Sequence, residues 1–329
     1  MVTIANDKPS MKDLLSRPEA EITTVLGGIY EHSVWVAEEL VKNDCKKLDT
    51  VTALAASMKA IVDGASNERK LELLCAHPDL CEKVGIFDKL TKASQEEQSR
   101  AGLQSLTDEE LERFTICNTE YRSKFGFPFI LAVRNASKFT VLSALEGRVS
   151  NSVETEFVQA IVQVHKIAWM RLLTIINTDD AKGFLTCHVL DTANGCPGKG
   201  SAAVSPTCQY NDTVFFFLTT TIVHAAAKMR VHLHRLSPPE SAMFVGAFVT
   251  NDEGRLADGP ALKGGKEFTV GTYQWTFFVA DYFASKGTFV SGTPFLDEVP
   301  LRFGIDNPDD HYHVPLLVSP WSFSSYRGS

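Results

Sequence analysis

The chain has 329 residues, of which 44% are hydrophobic, and it carries a formal net charge of −8 at pH 7. This length suits two domains of ordinary size, and this share of apolar residues suffices for two cores. The negative charge, without a basic cluster, argues against nucleic-acid binding. Seven cysteines without a CxxC pair or a secretory signal indicate reduced thiols inside a cell. No stretch predicts a transmembrane helix.

The first part of the chain, residues 1–176, predicts an all-α helical bundle. It is rich in Leu, Ala, Glu and Lys at helical spacing and poor in β-branched alternation. Apolar residues recur at three- and four-residue steps between Phe157 and Ala168, which predicts a long helix ending near Ile176. Thr107 with Glu110 fits the S/T-x-x-E capping box that begins a helix.

Three motifs in this part carry candidate chemistry: HPDL from His77, SQEEQ from Ser94 and FGFPFI from Phe125. Pro78 biases the preceding backbone away from a helical continuation, which helps to turn the imidazole into a pocket. A structural interpretation stands beside this one. Ser94 and Glu97 also fit a capping box, and a histidine before proline is usual at a helix end.

Read together with Arg171 and with EHSVWVAEEL from Glu31, these motifs resemble the OHCU decarboxylase family over residues 14–176. The resemblance implies decarboxylation without a cofactor, because the substrate's own carbonyl and imine-like groups accept the electrons released with carbon dioxide. It implies that His77 is the acid/base and that Glu97 orients it, raising its pKa and favouring a protonated donor. The implied substrate-binding residues are Pro78, Ser94, Gln98, Phe127, Phe129, Ile130 and Arg171.

After a polar linker at residues 177–184, the sequence becomes β-rich over residues 185–329. One segment, about 199–228, has no charge pattern and no helical period, and its apolar run is too short to span a bilayer. A membrane-touching insert, an internal targeting element and an extra strand are possible interpretations. We favour an in-frame retained intron or gene-model error, since a phenylalanine triplet followed by LTTTI is what a pyrimidine-rich splice-acceptor tract encodes.

The β-rich part contains histidines at strand spacing. His311 and His313 point to one face of a strand, and His188 lies in a second strand-like stretch, in which Cys187 points to the opposite, core side. Arg255 ends a polar turn. Imidazoles with a guanidinium are suited to activating water and holding an oxyanion. A zinc site made by the three imidazoles is the alternative, which Arg255 disfavours because a cation beside a dication is electrostatically unwelcome.

The tetrapeptide YRGS from Tyr326, with HVLD, the arginine turn and HYHVPLL, resembles the 5-hydroxyisourate hydrolase family over residues 185–329. The resemblance implies a transthyretin-like β-sandwich and a homotetramer with its sites between subunits. It implies a water held between His188 and His313, an oxyanion stabilised by Arg255, and neither metal nor cofactor. The implied substrate-binding residues here are Tyr326, Arg327 and Ser329.

The two resemblances together predict a multidomain α and β protein, a bifunctional enzyme of urate degradation. The second part would hydrolyse 5-hydroxyisourate to OHCU, and the first would decarboxylate OHCU to (S)-allantoin. The expected partners are these small molecules and further copies of the chain, and the expected location is the peroxisome or the cytoplasm. A transthyretin-like binding or signalling scaffold, with one or both sites inactive, is the alternative.

Overall fold

The computed structural model describes residues 8–80, 106–133, 136–194, 224–237, 242–265, 267–288 and 292–328. The chain divides into two compact units, Met1–Thr178 and Asp179–Ser329. The predictions for Ser94, Glu97, Gln98, Ser329 and most of the 199–228 segment lie outside the described residues. No helix in the described ranges is long and apolar enough to cross a membrane.

The first unit is helical, which confirms the fold class predicted for it. Its described helices are α1 (Met11–Leu15), α2 (Glu19–Leu26), α3 (Trp35–Lys42), α4 (Val51–Asp63), α5 (Asn67–Cys75), α6 (Asp108–Phe125), α7 (Lys138–Val149) and α8 (Val153–Ile175). The long helix expected to end near Ile176 is α8. Its buried face includes Ile161, Val164 and Ala168, at the three- and four-residue steps that the sequence showed.

Hydroxyl side chains begin most of these helices. The residue before each of α1, α4, α5, α6, α7 and α8 is Ser or Thr, and its side chain accepts a hydrogen bond from a first-turn N–H. Thr107 and Glu110 form the predicted capping box: Glu110 N donates to Thr107 Oγ1 at 3.2 Å, and Thr107 N donates to Glu110 Oε2 at 2.8 Å. Sequence alone therefore locates these helix starts.

A left-handed glycine ends α6 and turns the chain into the FPFI segment. Gly126 has a φ of 78°, a conformation that residues with a Cβ rarely adopt. The rings of Phe127 and Phe129 then pack into the core, with their centroids 6.0 and 5.2 Å from that of Tyr121. The segment thus runs along the inside of the unit rather than across its surface.

The second unit is a β-sandwich, as expected from the resemblance. Its strands are β1 (Phe184–Asp191), β2 (His224–Ala225), β3 (Arg230–Arg235), β4 (Met243–Val249), β5 (Leu262–Lys263), β6 (Gly271–Phe278), β7 (Glu298–Ile305), β8 (His311–Val318) and β9 (Phe323–Ser325), with helix α9 (Val279–Ser285) before β7. One sheet has the order β2-β1-β8-β9, with β5 also paired to β1, and the other has the order β4-β3-β6-β7. Buried side chains such as Leu185, Trp275 and Phe277 fill the space between them.

Two candidate active sites

His77 lies just beyond the end of α5, and its side chain is 6% exposed. Its Nδ1 is 2.9 Å from the carbonyl oxygen of Leu73. A carbonyl oxygen only accepts hydrogen bonds, so Nδ1 carries the proton and Nε2 presents a lone pair. That Nε2 is buried and has no hydrogen-bond partner among the residues that the structure describes. A buried acceptor with no partner is the kind of group that a substrate hydroxyl or amide completes.

The pKa of His77 is lowered, where a raised value was expected. Burial lowers the pKa to about 4, and the charge of Arg171 also lowers it; the predicted contribution of Glu97 lies outside the described residues. The Leu73 hydrogen bond and the charge of Glu31 act in the opposite direction and are outweighed. At neutral pH His77 is therefore a neutral acceptor rather than a protonated donor.

Arg171, on α8, is paired with a residue that sequence reasoning did not name as functional. Its Nη1 lies 2.6 Å from Glu31 Oε2, and the two residues are 5% and 2% exposed. Arg171 was expected to bind a substrate carboxylate or ureido carbonyl, and in this structure it holds a protein carboxylate. The sequence offered a signal for Glu31, because the EHSVWVAEEL motif begins with this residue.

The turn that carries His77 and Pro78 is fixed by its neighbours. Asp79 is buried and paired with Arg122 on α6, while Cys75 Sγ is 3.6 Å from the carbonyl oxygen of Gly126. The HPDL turn therefore lies beside the start of the FPFI segment. The sequence had predicted that these two motifs act together.

Side chains of α7 and α8 hydrogen-bond the backbone of the FPFI segment and of the residue pair that follows it. Arg148 Nη1 donates to the Ile130 carbonyl oxygen at 2.7 Å, and Gln163 Oε1 accepts from Ala132 N at 3.1 Å. Because Phe, Pro and Ile side chains carry no hydrogen-bonding group, only the backbone of this segment is suited to hydrogen-bond a substrate.

In the second unit, the register of β1 and β8 assembles the other site. The two strands run parallel and pair Thr186 with His313. Along β1 the side chains alternate between buried and half-buried, so Cys187 lies in the core, as predicted, while Thr186 and His188 share the open face. Burial raises the pKa of the Cys187 thiol, which suits a packing role and not that of a nucleophile.

His188 is oriented by the turn that ends in Arg255. Its Nε2 donates to the Glu253 carbonyl oxygen at 2.9 Å, which leaves Nδ1 as the acceptor nitrogen. Val189 N donates to the Gly254 carbonyl oxygen at 2.8 Å. Gly254 has a φ of 74°, and a Cβ there would lie 2.3 Å from the Val189 carbonyl oxygen. Only glycine fits this close approach of turn and strand.

The rings of His188 and His313 face each other across the open side of the sheet, with centroids 6.3 Å apart. Burial and the charge of Arg255 lower the pKa of both, and His188 and His311 contribute further to the lowering at His313. Both imidazoles are therefore neutral at neutral pH. Such a pair can accept a proton from one bound water.

The C-terminal tail closes one side of this site. Gly328 N donates to the His313 carbonyl oxygen at 2.9 Å, and a Cβ on Gly328 would lie 2.6 Å from His313 Cδ2. Arg327 stacks over the Tyr312 ring at 4.6 Å and lies 3.4 Å from Asp310 Oδ2, and its expected role in binding substrate stays a prediction. Its contacts anchor the tail. Tyr326 is exposed beside it.

The alternative zinc site finds no support in this arrangement. Within the described ranges, no three His, Cys, Asp or Glu side chains are placed to share a metal ion. His311 Nε2 and His313 Nδ1 each lie 2.8 Å from the hydroxyl of Thr186. One ring nitrogen of each histidine is thus directed at that hydroxyl.

A buried neutral imidazole in a helical unit and an open imidazole pair in a β-sandwich define a two-domain acid/base enzyme. Residues 16–173 match the model of the OHCU decarboxylase family, and residues 213–328 match that of the HIUase/transthyretin family. The chain belongs to the first family through its helical unit and to the second through its β-sandwich.

Three relatives support this assignment. A crystal structure of (S)-allantoin synthase is 61% identical, with a TM-score of 0.78 and coverage of 97% of this chain and 100% of that one. The 2-oxo-4-hydroxy-4-carboxy-5-ureidoimidazoline decarboxylase of Haloferax volcanii is 43% identical, over 44% of this chain and 83% of its own length. The 5-hydroxyisourate hydrolase of Pseudomonas aeruginosa is 39% identical, over 45% of this chain and 92% of its own.

Proposed function

We propose that the protein converts 5-hydroxyisourate to (S)-allantoin in two steps, hydrolysis in the β-sandwich and decarboxylation in the helical unit. The observation that supports this most strongly is the fusion of both families in one chain that is similar to (S)-allantoin synthase over almost its whole length. Each unit also contains imidazoles whose lowered pKa makes them proton acceptors at neutral pH. The product of the first reaction is the substrate of the second.

In the hydrolase unit, a water between the rings of His188 and His313 attacks a ring carbonyl of 5-hydroxyisourate. One imidazole takes the water's proton as the oxygen–carbon bond forms. The carbonyl π electrons move to its oxygen, where Arg255 stabilises the negative charge. The carbon–nitrogen bond then breaks, and the proton is returned to the departing ring nitrogen. Tyr326 and Ser329 would bind the substrate's polar edges, and Arg327 would keep the tail in place.

In the decarboxylase unit, the substrate 2-oxo-4-hydroxy-4-carboxy-5-ureidoimidazoline supplies its own electron sink. The bond from C4 to the carboxylate breaks, its electron pair forms a C4–C5 double bond, and the ring C=N electrons move to nitrogen, which takes a proton from solvent. His77 Nε2 then accepts the 4-hydroxyl proton and delivers it to C5. Because His77 acts from one fixed side, C5 is protonated on one face, and a single enantiomer results.

The remaining residues of this site would position His77 and the substrate. Glu97 would orient and polarise His77, and Ser94, Gln98 and the backbone of residues 127–130 would hydrogen-bond the ureido group. Arg171, held by Glu31, would bind the substrate carboxylate through some of the N–H groups of its planar guanidinium. The homotetramer and the location in peroxisome or cytoplasm stay predictions from the family resemblance.

The proposed function is tested by generating 5-hydroxyisourate in situ from urate and adding the purified protein. We expect rapid loss of 5-hydroxyisourate absorbance and then growth of the circular dichroism signal of one allantoin enantiomer, because each unit catalyses its own step. The control is the same mixture without the protein, which gives the spontaneous rates. Racemic allantoin formed at those rates would contradict the proposal and would favour the binding or scaffold alternative.

The pH dependence of hydrolysis follows from the lowered pKa of His188 and His313. A base with a lowered pKa stays unprotonated to lower pH, so the decline of kcat/KM for hydrolysis should be centred below pH 6.5, the ordinary histidine value. Arg255→Gln removes one cause of the lowering and should move this decline to higher pH, in addition to reducing the rate. Stopped-flow pH profiles measure both effects. A wild-type decline centred at or above pH 6.5 would show that the bases are not these neutral histidines.

A further inference from the structure

We propose that Thr186 and His311 form a proton relay behind His313 that sets its tautomer and takes up the proton it removes from water. The inference deepens the proposed hydrolase function and rests on it. Thr186 and His311 were not assigned a role in hydrolysis by the sequence motifs. They enter through geometry, because β1 and β8 place all three side chains on one face.

The hydroxyl of Thr186 lies 2.8 Å from His311 Nε2 and 2.8 Å from His313 Nδ1. A hydroxyl has one hydrogen to donate. If it donates to one imidazole, it accepts an N–H from the other. The two histidines are therefore coupled, and two arrangements use the hydroxyl as donor to one imidazole and acceptor from the other.

In the first arrangement, His311 Nε2–H donates to Thr186, which donates to His313 Nδ1, so the second nitrogen of His313 carries a proton. In the second, His313 Nδ1–H donates to Thr186, which donates to His311 Nε2, and His313 Nε2 presents a lone pair. Only the second arrangement makes His313 a base towards the site. Thr186 thus determines whether His313 Nε2 can accept a proton.

The second arrangement also provides an outlet for the proton. When His313 Nε2 takes a proton from the attacking water, its Nδ1–H moves to Thr186 Oγ1, and the original Thr186 hydroxyl hydrogen moves to His311 Nε2. His313 gains a hydrogen at Nε2 as it loses one at Nδ1, Thr186 Oγ1 gains one as it loses one, and His311 Nε2 gains one; no electrons are gained or lost. The positive charge then rests on His311. Reversal of the same transfers supplies the departing nitrogen with its proton.

The surroundings of His311 suit a transient cation, and those of His313 do not. The ring of Phe184 is stacked on His311, with centroids 4.1 Å apart and an interplanar angle of 21°, and an aromatic face attracts a cation. His313 instead faces the cation Arg255 and two further imidazoles, His188 and His311. Moving the charge from His313 to His311 increases its distance from Arg255's side of the site.

The test compares Thr186→Val, which keeps the side-chain shape but has no hydroxyl, with Thr186→Ser, which restores it. We expect Thr186→Val to lower kcat for hydrolysis by about ten- to a hundredfold, less than the roughly 10²- to 10⁴-fold lost with a direct acid or base. KM should change little, and Thr186→Ser should recover most of the rate. Thr276→Val, on the other sheet, is the matched control and should keep the wild-type rate.

His311→Gln gives an independent measurement should Thr186→Val fold poorly. It keeps a polar group near Thr186 but cannot hold the relayed proton, so we expect a similar loss of kcat with a changed pH profile. Wild-type kcat in Thr186→Val or His311→Gln, or equal losses in the Val and Ser variants, would overturn the relay. Absence of hydrolysis in the wild-type protein would instead overturn the proposed function, and decarboxylation of separately prepared OHCU reports that the helical unit is folded.

Discussion

Replacing His77 by Asn is expected to remove decarboxylation while leaving hydrolysis of 5-hydroxyisourate at its wild-type rate. His77 is the buried imidazole whose Nε2 has no partner within the described part of the chain, and we assign it both the removal of the hydroxyl proton and its delivery to C5. Loss of such a group typically costs about 10²- to 10⁴-fold in rate. OHCU should accumulate and decay spontaneously to racemic allantoin. Absorbance reports the first step, and circular dichroism reports the second.

The matched control is His32→Asn, the same chemical change at a neighbouring histidine. The His32 side chain is 63% exposed, and its φ of 47° lies in the left-handed region that Asn tolerates well. We expect this variant to keep both rates within about twofold, since the contact of this exposed side chain with Glu31 Oε1, 3.8 Å away, is screened by solvent. If His77→Asn still produced one enantiomer at the wild-type rate, His77 would not be the group that protonates C5.

The features that sequence predicted well are those with local causes. The capping box of Thr107 and Glu110 depends on residues three positions apart, and the burial of Cys187 beside the half-exposed His188 follows from strand alternation. The motifs HPDL and HYHVPLL likewise made His77 and His313 candidate site residues. Each needs only a few neighbouring residues to be interpreted.

The features that it missed depend on tertiary pairing. Thr186 is an unremarkable residue until the parallel register sets it beside His313, which lies 127 positions later in the chain. The sign of the pKa change at His77 was missed for a similar reason. A carboxylate nearby in sequence suggests a raised value, but the extent of burial, which here is the largest cause, is a property of the whole core.

The second large effect concerns the buried ion pair between Glu31 and Arg171. Replacing Arg171 by Met removes the guanidinium that lies 2.6 Å from Glu31 Oε2, a carboxylate in a residue that is 2% exposed. Breaking such a buried pair typically costs about 3–5 kcal/mol. We therefore expect the free energy of unfolding of the helical unit to fall by roughly this amount, together with loss of decarboxylation, because the guanidinium also binds substrate in our proposal.

The double variant Glu31→Gln/Arg171→Met separates these two effects. It removes both charges, so most of the lost stability should return, since desolvation of the pair offsets much of its attraction, whereas decarboxylation should not. Urea-dependent hydrogen exchange, followed peptide by peptide, measures α8 separately from the β-sandwich, whose stability should not change. If the double variant regained decarboxylation along with stability, Arg171 would support the fold alone, and the substrate carboxylate would need another partner in the site.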